Sequence, residues 1–180
     1  MAEVARAAAL AGRFVGRPAV TVAPAPPATR LSVRAPASSR SALARALKVD
    51  LFDGRQIRTV GPRMSLPLGP DEWLVIDEEG ADLAAACCGV DALHSAVDVS
   101  HRNVGILVSG LGAEAVLNAG CPRDLSLAAF PVGRAARTIL GKVEIVLVRT
   151  AAQAFRVEVW RSFGDYAFTL LEDAARDPGM

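Results

Sequence analysis

The chain has 180 residues, 52% hydrophobic and 22% charged, a balance that suits one folded domain and excludes a collagen-like or broadly disordered polypeptide. No apolar run reaches the roughly 18 residues a membrane-crossing helix needs; the best stretch, 143–148, is broken by Glu144 and ends at Arg149. The formal net charge is +1, but residues 1–45 hold seven arginines and the single acid Glu3, while the remainder holds 13 basic and 18 acidic residues.

Residues 1–28 are Ala-rich and then Pro-rich, closing on Pro24, Pro26 and Pro27. Proline withholds the donors a strand ladder needs, so this segment is predicted to be a flexible basic arm. Its arginines lack interleaved aromatics beyond Phe14 and any recognition motif, which argues against nucleic acid as a partner. Residues 29–176 are predicted to form the folded domain. A strand is expected at 31–34 and a helix from Ser38 or Ser39 to about Lys48, with Leu43 and Leu47 on one face. Strands follow at 55–60 and 73–76, separated by a turn at Gly69-Pro70, then a short helix at 81–88 stopped by Gly89. The second half reads as a long strand over 97–108, a helix over 112–119, and strands 133–140 and 143–148 joined through Gly141-Lys142. It closes with a strand at 155–160 and a helix at 165–175.

The halves share this plan. Residues 31–51 align without a gap on 105–125, setting Val33 against Leu107 and Leu43 against Leu117, and 71–80 align on 155–164. The inferred fold is α+β: a duplicated β-α-β-β-α unit (29–89 and 97–176), its sheet mostly antiparallel with helices on one face.

Little in the chain reads as catalytic chemistry. Asp98, Ser100 and His101 contain the residue types of a hydrolase triad, but on one strand Asp98 and Ser100 share a face and His101 points away. His94 and His101, the only histidines, lack zinc-site spacing. Cys87, Cys88 and Cys121 form no Cys-x-x-Cys pattern, so buried, inert thiols in a reducing cytoplasm are expected. Gly110-Leu111-Gly112-Ala113-Glu114-Ala115 fits the dinucleotide fingerprint Gly-x-Gly-x-x-Ala, but the helix after it is too short and no acid follows at the proper place. A dinucleotide site there would need a parallel sheet. The turn cluster Cys121-Pro122-Arg123-Asp124 reads equally as a rigid connection and as a partner-binding loop. Trp73, His101, Arg102, Trp160, Arg161 and Phe163 are the candidate interface residues, because aromatic and arginine side chains dominate interface energetics.

Several segments together resemble the gamma subunit family of heterotetrameric sarcosine oxidase. They are Leu68-Gly69-Pro70-Asp71-Glu72-Trp73-Leu74, Val97-Asp98-Val99-Ser100-His101-Arg102, Ala119-Gly120-Cys121-Pro122-Arg123-Asp124-Leu125, Ala129-Phe130-Pro131-Val132-Gly133 and Val159-Trp160-Arg161-Ser162-Phe163. The resemblance implies a fold like the folate-binding domain of aminomethyltransferases. It implies a cytoplasmic complex with alpha, beta and delta subunits, this chain packing chiefly on alpha, and no membrane partner. It places FAD, FMN, NAD, tetrahydrofolate and zinc on the other subunits, and no catalytic, cofactor-binding or metal-binding residue on this chain. The basic arm would then lie along an acidic groove of a partner. The alternative is a stand-alone folate-binding or aminomethyltransferase-like protein. That would require a carboxylate facing a central cavity between the repeats, with Asp71, Glu72 and Asp98 as candidates.

Overall fold

The computed structural model describes residues 9–52 and 54–176. In the first half, β3 (Thr29–Arg34) leads to α1 (Arg40–Leu47), three strands β4 (Arg58–Val60), β5 (Arg63–Gly69) and β6 (Glu72–Asp77), and α2 (Leu83–Cys88). The second half repeats the order: β8 (Asn103–Ser109), α3 (Ala113–Asn118), β9 (Ala135–Leu140), β10 (Val143–Ala151), β11 (Ala154–Trp160) and α4 (Gly164–Ala174). The duplication expected from the sequence is present; the second half has the strands predicted for it, and the first has one more, so that each unit is β-α-β-β-β-α. In the first unit the extra strand is β5, whose Pro67 and Gly69 sit at a bulge opposite Trp73 and Glu72. In both halves the three consecutive strands are antiparallel neighbours.

Two further strands complete the sheets, and each belongs to the opposite half. β2 (Thr21–Pro24) precedes β3 in the chain yet pairs with β8; β7 (Ser95–Asp98) precedes β8 yet pairs with β3. The result is a five-stranded sheet β4-β5-β6-β3-β7 and a six-stranded sheet β1-β2-β8-β11-β10-β9, with β1 at Val15–Gly16. The two exchanges use matching bonds: Ala25 N donates to Gly105 O at 2.8 Å and Val99 N to Arg30 O at 2.9 Å. At the far edges a bridge between Gln56 and Arg134 stitches the sheets together.

Side-chain alternation places the core in three layers. Trp73 and Val75 join Leu31, Val33, Leu43, Leu47 and Leu83 beneath α1 and α2. Ile106, Val108, Ile145, Leu147, Phe155 and Val157 join Val116, Leu117, Phe168 and Leu171 beneath α3 and α4. The other faces meet each other through Leu66, Leu74 and Ile76 against Ala135, Val146 and Val148. Strands buried on both faces read as unbroken apolar runs, which explains Trp73-Leu74-Val75-Ile76. Gly141 begins the two-residue turn between Leu140 and Val143 with φ +60, the conformation for which a hairpin selects glycine.

Three expectations are corrected by this arrangement. Residues 1–8 of the predicted arm lie outside the described residues; of the rest, Val15–Gly16 and Thr21–Pro24 join the second sheet as β1 and β2, and Leu10, Val15, Val20 and Val22 are buried in its core, which only β8, remote in sequence, explains. The strand predicted over 97–108 is two strands in different sheets, divided by a turn in which Asp98 Oδ1 accepts from Ser100 N at 2.8 Å. The gap-free alignment of 31–51 on 105–125 is out of phase: Leu31 and Val33 face their helices, as do Val104, Ile106 and Val108, whereas Leu107 lies on the other face. Period-two alternation makes a one-residue slip exchange the two faces.

Candidate partner interface

The turn that splits 97–108 also disperses the hydrolase-like residues. Ser100 Oγ accepts from Arg30 N at 2.9 Å, so the hydroxyl closes the crossover, and Asp98 is bound to the backbone of the same turn. The bond from Ser100 N holds the Asp98 carboxyl below its ordinary range. His101 is exposed, and among the described residues Ser100 and Asp98 bond to backbone rather than to its ring; Cys88 is likewise exposed, not buried as expected. His94 Nδ1 lies 2.7 Å from Ala92 O, and among the described residues no three His, Cys, Asp or Glu side chains gather as a metal site.

The Gly110–Gly112 turn holds protein where a nucleotide would need space. Gly112 N donates to Ala19 O at 2.8 Å, and a Cβ on Gly110, which has φ +116, would collide with that carbonyl. β8 is flanked by β2 and β11, both antiparallel, rather than by the parallel strands of a dinucleotide fold. Gly110 is thus required by the close passage of the N-terminal segment, whereas a side chain on Gly112 would make only ordinary contacts with Ala19.

A buried ionic chain lies between the repeats, and a cleft of about 560 Å³ lined by Pro26, Arg30, Ser100 and Gly105 opens beside it. Glu158 in β11 is fully buried; Arg30 Nε in β3 donates to its Oε2 at 2.6 Å and Arg156 Nε to its Oε1 at 2.7 Å. Arg156 Nη1 reaches on to Glu78 at 2.6 Å. A Cβ on Gly105 would lie 2.8 Å from Glu158 Oε1 and 2.7 Å from Ala25 Cβ, so the bare backbone there is what admits the carboxylate. Nothing in the local sequence marks these residues as buried. Their alternation, Phe155-Arg156-Val157-Glu158-Val159, reads as one solvated face, and nothing local says that a second sheet covers it.

The carboxylates considered for a folate are otherwise engaged or outward. Glu72 accepts from Arg34 at 2.9 Å and from Arg137 at 2.6 Å, the latter joining the two sheets. Burial pushes its carboxyl upward, but these two guanidinium bonds outweigh that and hold it below the usual range. Asp71 and Asp98 are exposed. The cleft beside Glu72, lined by Ser32, Leu74, Val146 and Trp160 among others, has only about 170 Å³, small beside the roughly 300–1,000 Å³ of ordinary ligand pockets.

Asp77 likewise stays ionised to low pH. Burial raises its pKa, but bonds from Ala81 N, Arg63 and Glu79 N prevail and lower it. A carboxyl depressed in the folded state stabilises above its unfolded value, about 4, and loses that contribution as pH falls through the folded value. The melting temperature should therefore decline below about pH 4, and Asp77→Asn should shrink that decline while lowering stability at pH 7. An unchanged acid limb in the variant would refute the assignment.

Five of the six candidate interface residues come together. Trp160 ends β11 and Phe163 lies in the 3-10 turn Arg161–Phe163; their rings stack with centroids 6.2 Å apart and planes 25° from parallel. The Arg102 guanidinium lies 4.1 Å from the Trp160 ring centroid, within cation–π reach. Arg161 N donates to Arg102 O at 2.6 Å, which locks the two segments side by side with His101 adjoining. Trp160 is 42% exposed and Phe163 41%, a large apolar area for two adjacent side chains. Trp73 does not belong to this patch. It is fully buried under α1 and α2, and its Nε1 donates to Phe52 O at 3.0 Å, which makes it a core residue.

Comparison with known proteins gives a consistent result. A family model described as sarcosine oxidase, gamma subunit family, matches residues 33–177. The chain is 34% identical over 153 residues to the sarcosine oxidase subunit gamma of Corynebacterium sp. (strain P-1), covering 82% of this chain and 75% of that one. It is 33% identical over 174 residues to the subunit of the same name from Corynebacterium sp. (strain U-96), covering 93% and 85%. A chain in the structure of heterotetrameric sarcosine oxidase from Corynebacterium sp. U-96 in complex with pyrrole 2-carboxylate superposes with a TM-score of 0.83 at 31% identity, over 93% of this chain and 89% of that chain. The glycine cleavage system aminomethyltransferase T from Bartonella henselae shares the fold, with a TM-score of 0.64 at 15% identity over 86% of this chain and 46% of the other.

Proposed function

The chain belongs to the sarcosine oxidase gamma subunit family, and on that premise we propose that it is the non-catalytic gamma subunit of a heterotetrameric oxidase, docked chiefly on the large alpha subunit beside beta and delta. The holoenzyme would oxidatively demethylate sarcosine to glycine, with hydrogen peroxide and 5,10-methylenetetrahydrofolate as the other products. FAD, FMN, NAD, tetrahydrofolate and zinc would belong to the other subunits: on this chain the glycine turn holds Ala19, the space between the sheets holds the Arg30–Glu158–Arg156 chain, and neither fits such a group. Among the described residues no helix is long and apolar enough to cross a membrane.

The observation that carries the docking reading is the exposed Trp160–Phe163 stack with Arg102 over it, a rigid aromatic-guanidinium anchor of the kind that dominates interface energies. Trp160→Ala should weaken association by about 2 kcal/mol or more, roughly thirtyfold in affinity. Pull-down from a strain co-expressing all four subunits measures it, with circular dichroism of the variant as the folding control. Wild-type recovery of the large subunits by a Trp160→Ala, Phe163→Ala double variant would remove this patch from the interface. Demethylation of sarcosine by the isolated chain would overturn the non-catalytic role itself.

A further inference from the structure

A second concave site lies where the two sheets are stitched at their edges, sharing Leu68 and Arg137 with the small cleft beside Trp160. The cleft has about 440 Å³ and is lined by Arg55, Arg123 and Arg137, with Pro67, Pro70 and Ala135 among its walls. Three chain segments remote in sequence supply its arginines. Arg55 precedes β4, and its carbonyl accepts from Ala135 N at 3.0 Å, which fixes one wall to the other. Arg123 comes from the Cys121-Pro122-Arg123-Asp124 turn, whose role the sequence left open, and Arg137 stands in β9. No carboxylate lines the cleft among the described residues.

The three guanidiniums differ in how far they are neutralised. Arg137 is paired with Glu72 at 2.6 Å and lies 3.7 Å from Glu144. Arg55 and Arg123 make no ion pair among the described residues. Arg123 is half-buried: its Nε is enclosed with no hydrogen-bond partner, and its guanidinium carbon lies 5.8 Å from the Phe130 ring centroid. Among the described residues its terminal nitrogens meet no hydrogen-bond partner. A desolvated cation without a counter-charge is unfavourable, and a pre-set guanidinium fork is suited to a planar oxyanion.

We propose that this cleft is a binding site for a carboxylate group, gripped by Arg123 and Arg55 with Arg137 closing the field. The group can arrive on a free small dicarboxylate or on an acidic side chain of a neighbouring subunit; the second source rests on the subunit reading above. The probe is malonate, titrated calorimetrically into the full-length chain at fixed ionic strength. If the source is a free acid, wild type binds malonate, Arg123→Gln and Arg55→Gln each weaken it about tenfold or more, and Arg123→Lys restores it only in part. If the source is a subunit, malonate binds weakly or not at all, and both Gln variants lower recovery of the large subunits in the four-subunit pull-down. Arg55 is exposed, so its substitution tests the site without endangering the fold. Malonate binding that is equal in wild type and both Gln variants overturns the proposal, as does absent binding together with undiminished assembly. Because Trp160→Ala reports on docking separately, failure of this site is distinguishable from failure of the subunit reading.

Discussion

Glu158→Ala should lower the free energy of unfolding by about 3–5 kcal/mol, the largest loss expected of any single polar substitution in this chain. The carboxylate is fully buried and answers two guanidiniums whose side chains are only 5% and 2% exposed, those of Arg30 and Arg156. Removing it leaves two like charges facing each other between the sheets. Arg156 already has one unpartnered buried nitrogen, Nη2, and its remaining counter-ion, Glu78, is 47% exposed and therefore weakly held. Urea denaturation followed by tryptophan fluorescence measures the loss. Replacing all three residues by apolar side chains of similar volume should recover most of it, since breaking a buried ion group costs more than deleting the whole group. A loss under about 1 kcal/mol would mean that the network is hydrated and the space between the repeats is open.

Deletion of residues 1–24 should abolish folding, where a loosely held arm would be dispensable. The deletion removes β1 and β2, and with them Leu10, Val15, Val20 and Val22 from the core under α3 and α4. At about 1.5–3 kcal/mol for each fully buried aliphatic side chain, the loss rivals the about 5–15 kcal/mol that a whole domain has in reserve. It also bares the edge of β8, a ready template for pairing with another chain. Dispersed proton NMR spectra from the truncated protein would refute this; collapsed spectra and aggregation are expected. Arg13 adds a surface tie, donating to Thr169 Oγ1 at 3.0 Å and Glu172 at 3.0 Å on α4.

Much of the fold was legible because it is written locally. Helix α1 was visible in Leu43 and Leu47, and the hairpin between β9 and β10 in Gly141 flanked by apolar runs. Duplication showed in the repeated order of elements, and family resemblance in five short segments. What escaped depends on partners far away in the chain. Val20 and Val22 alternate as a strand should, but three prolines nearby suggested a linker, and β8 explains them only in three dimensions. β5 was hidden by Pro67, tolerated there because the strand is bulged at that point. The candidate interface was legible in the sequence Trp160-Arg161-Ser162-Phe163, whereas Trp73 misled because tryptophan serves cores and surfaces alike. The arginine cleft could not be read at all, since its three side chains come from segments that local patterns do not connect.

The crossing of β2 and β7 between halves also sets the timetable of biosynthesis. As the chain leaves the ribosome, Thr21–Pro24 has no place to go until Asn103–Ser109 has been made, and the emerging first unit lacks its edge strand until Ser95–Asp98 appears. Neither half is a finished module that waits for its twin. Maturation must begin late and advance through contacts of long sequence separation, which makes it slow and leaves a long interval in which a chaperone, or a companion subunit already formed, can hold the nascent chain.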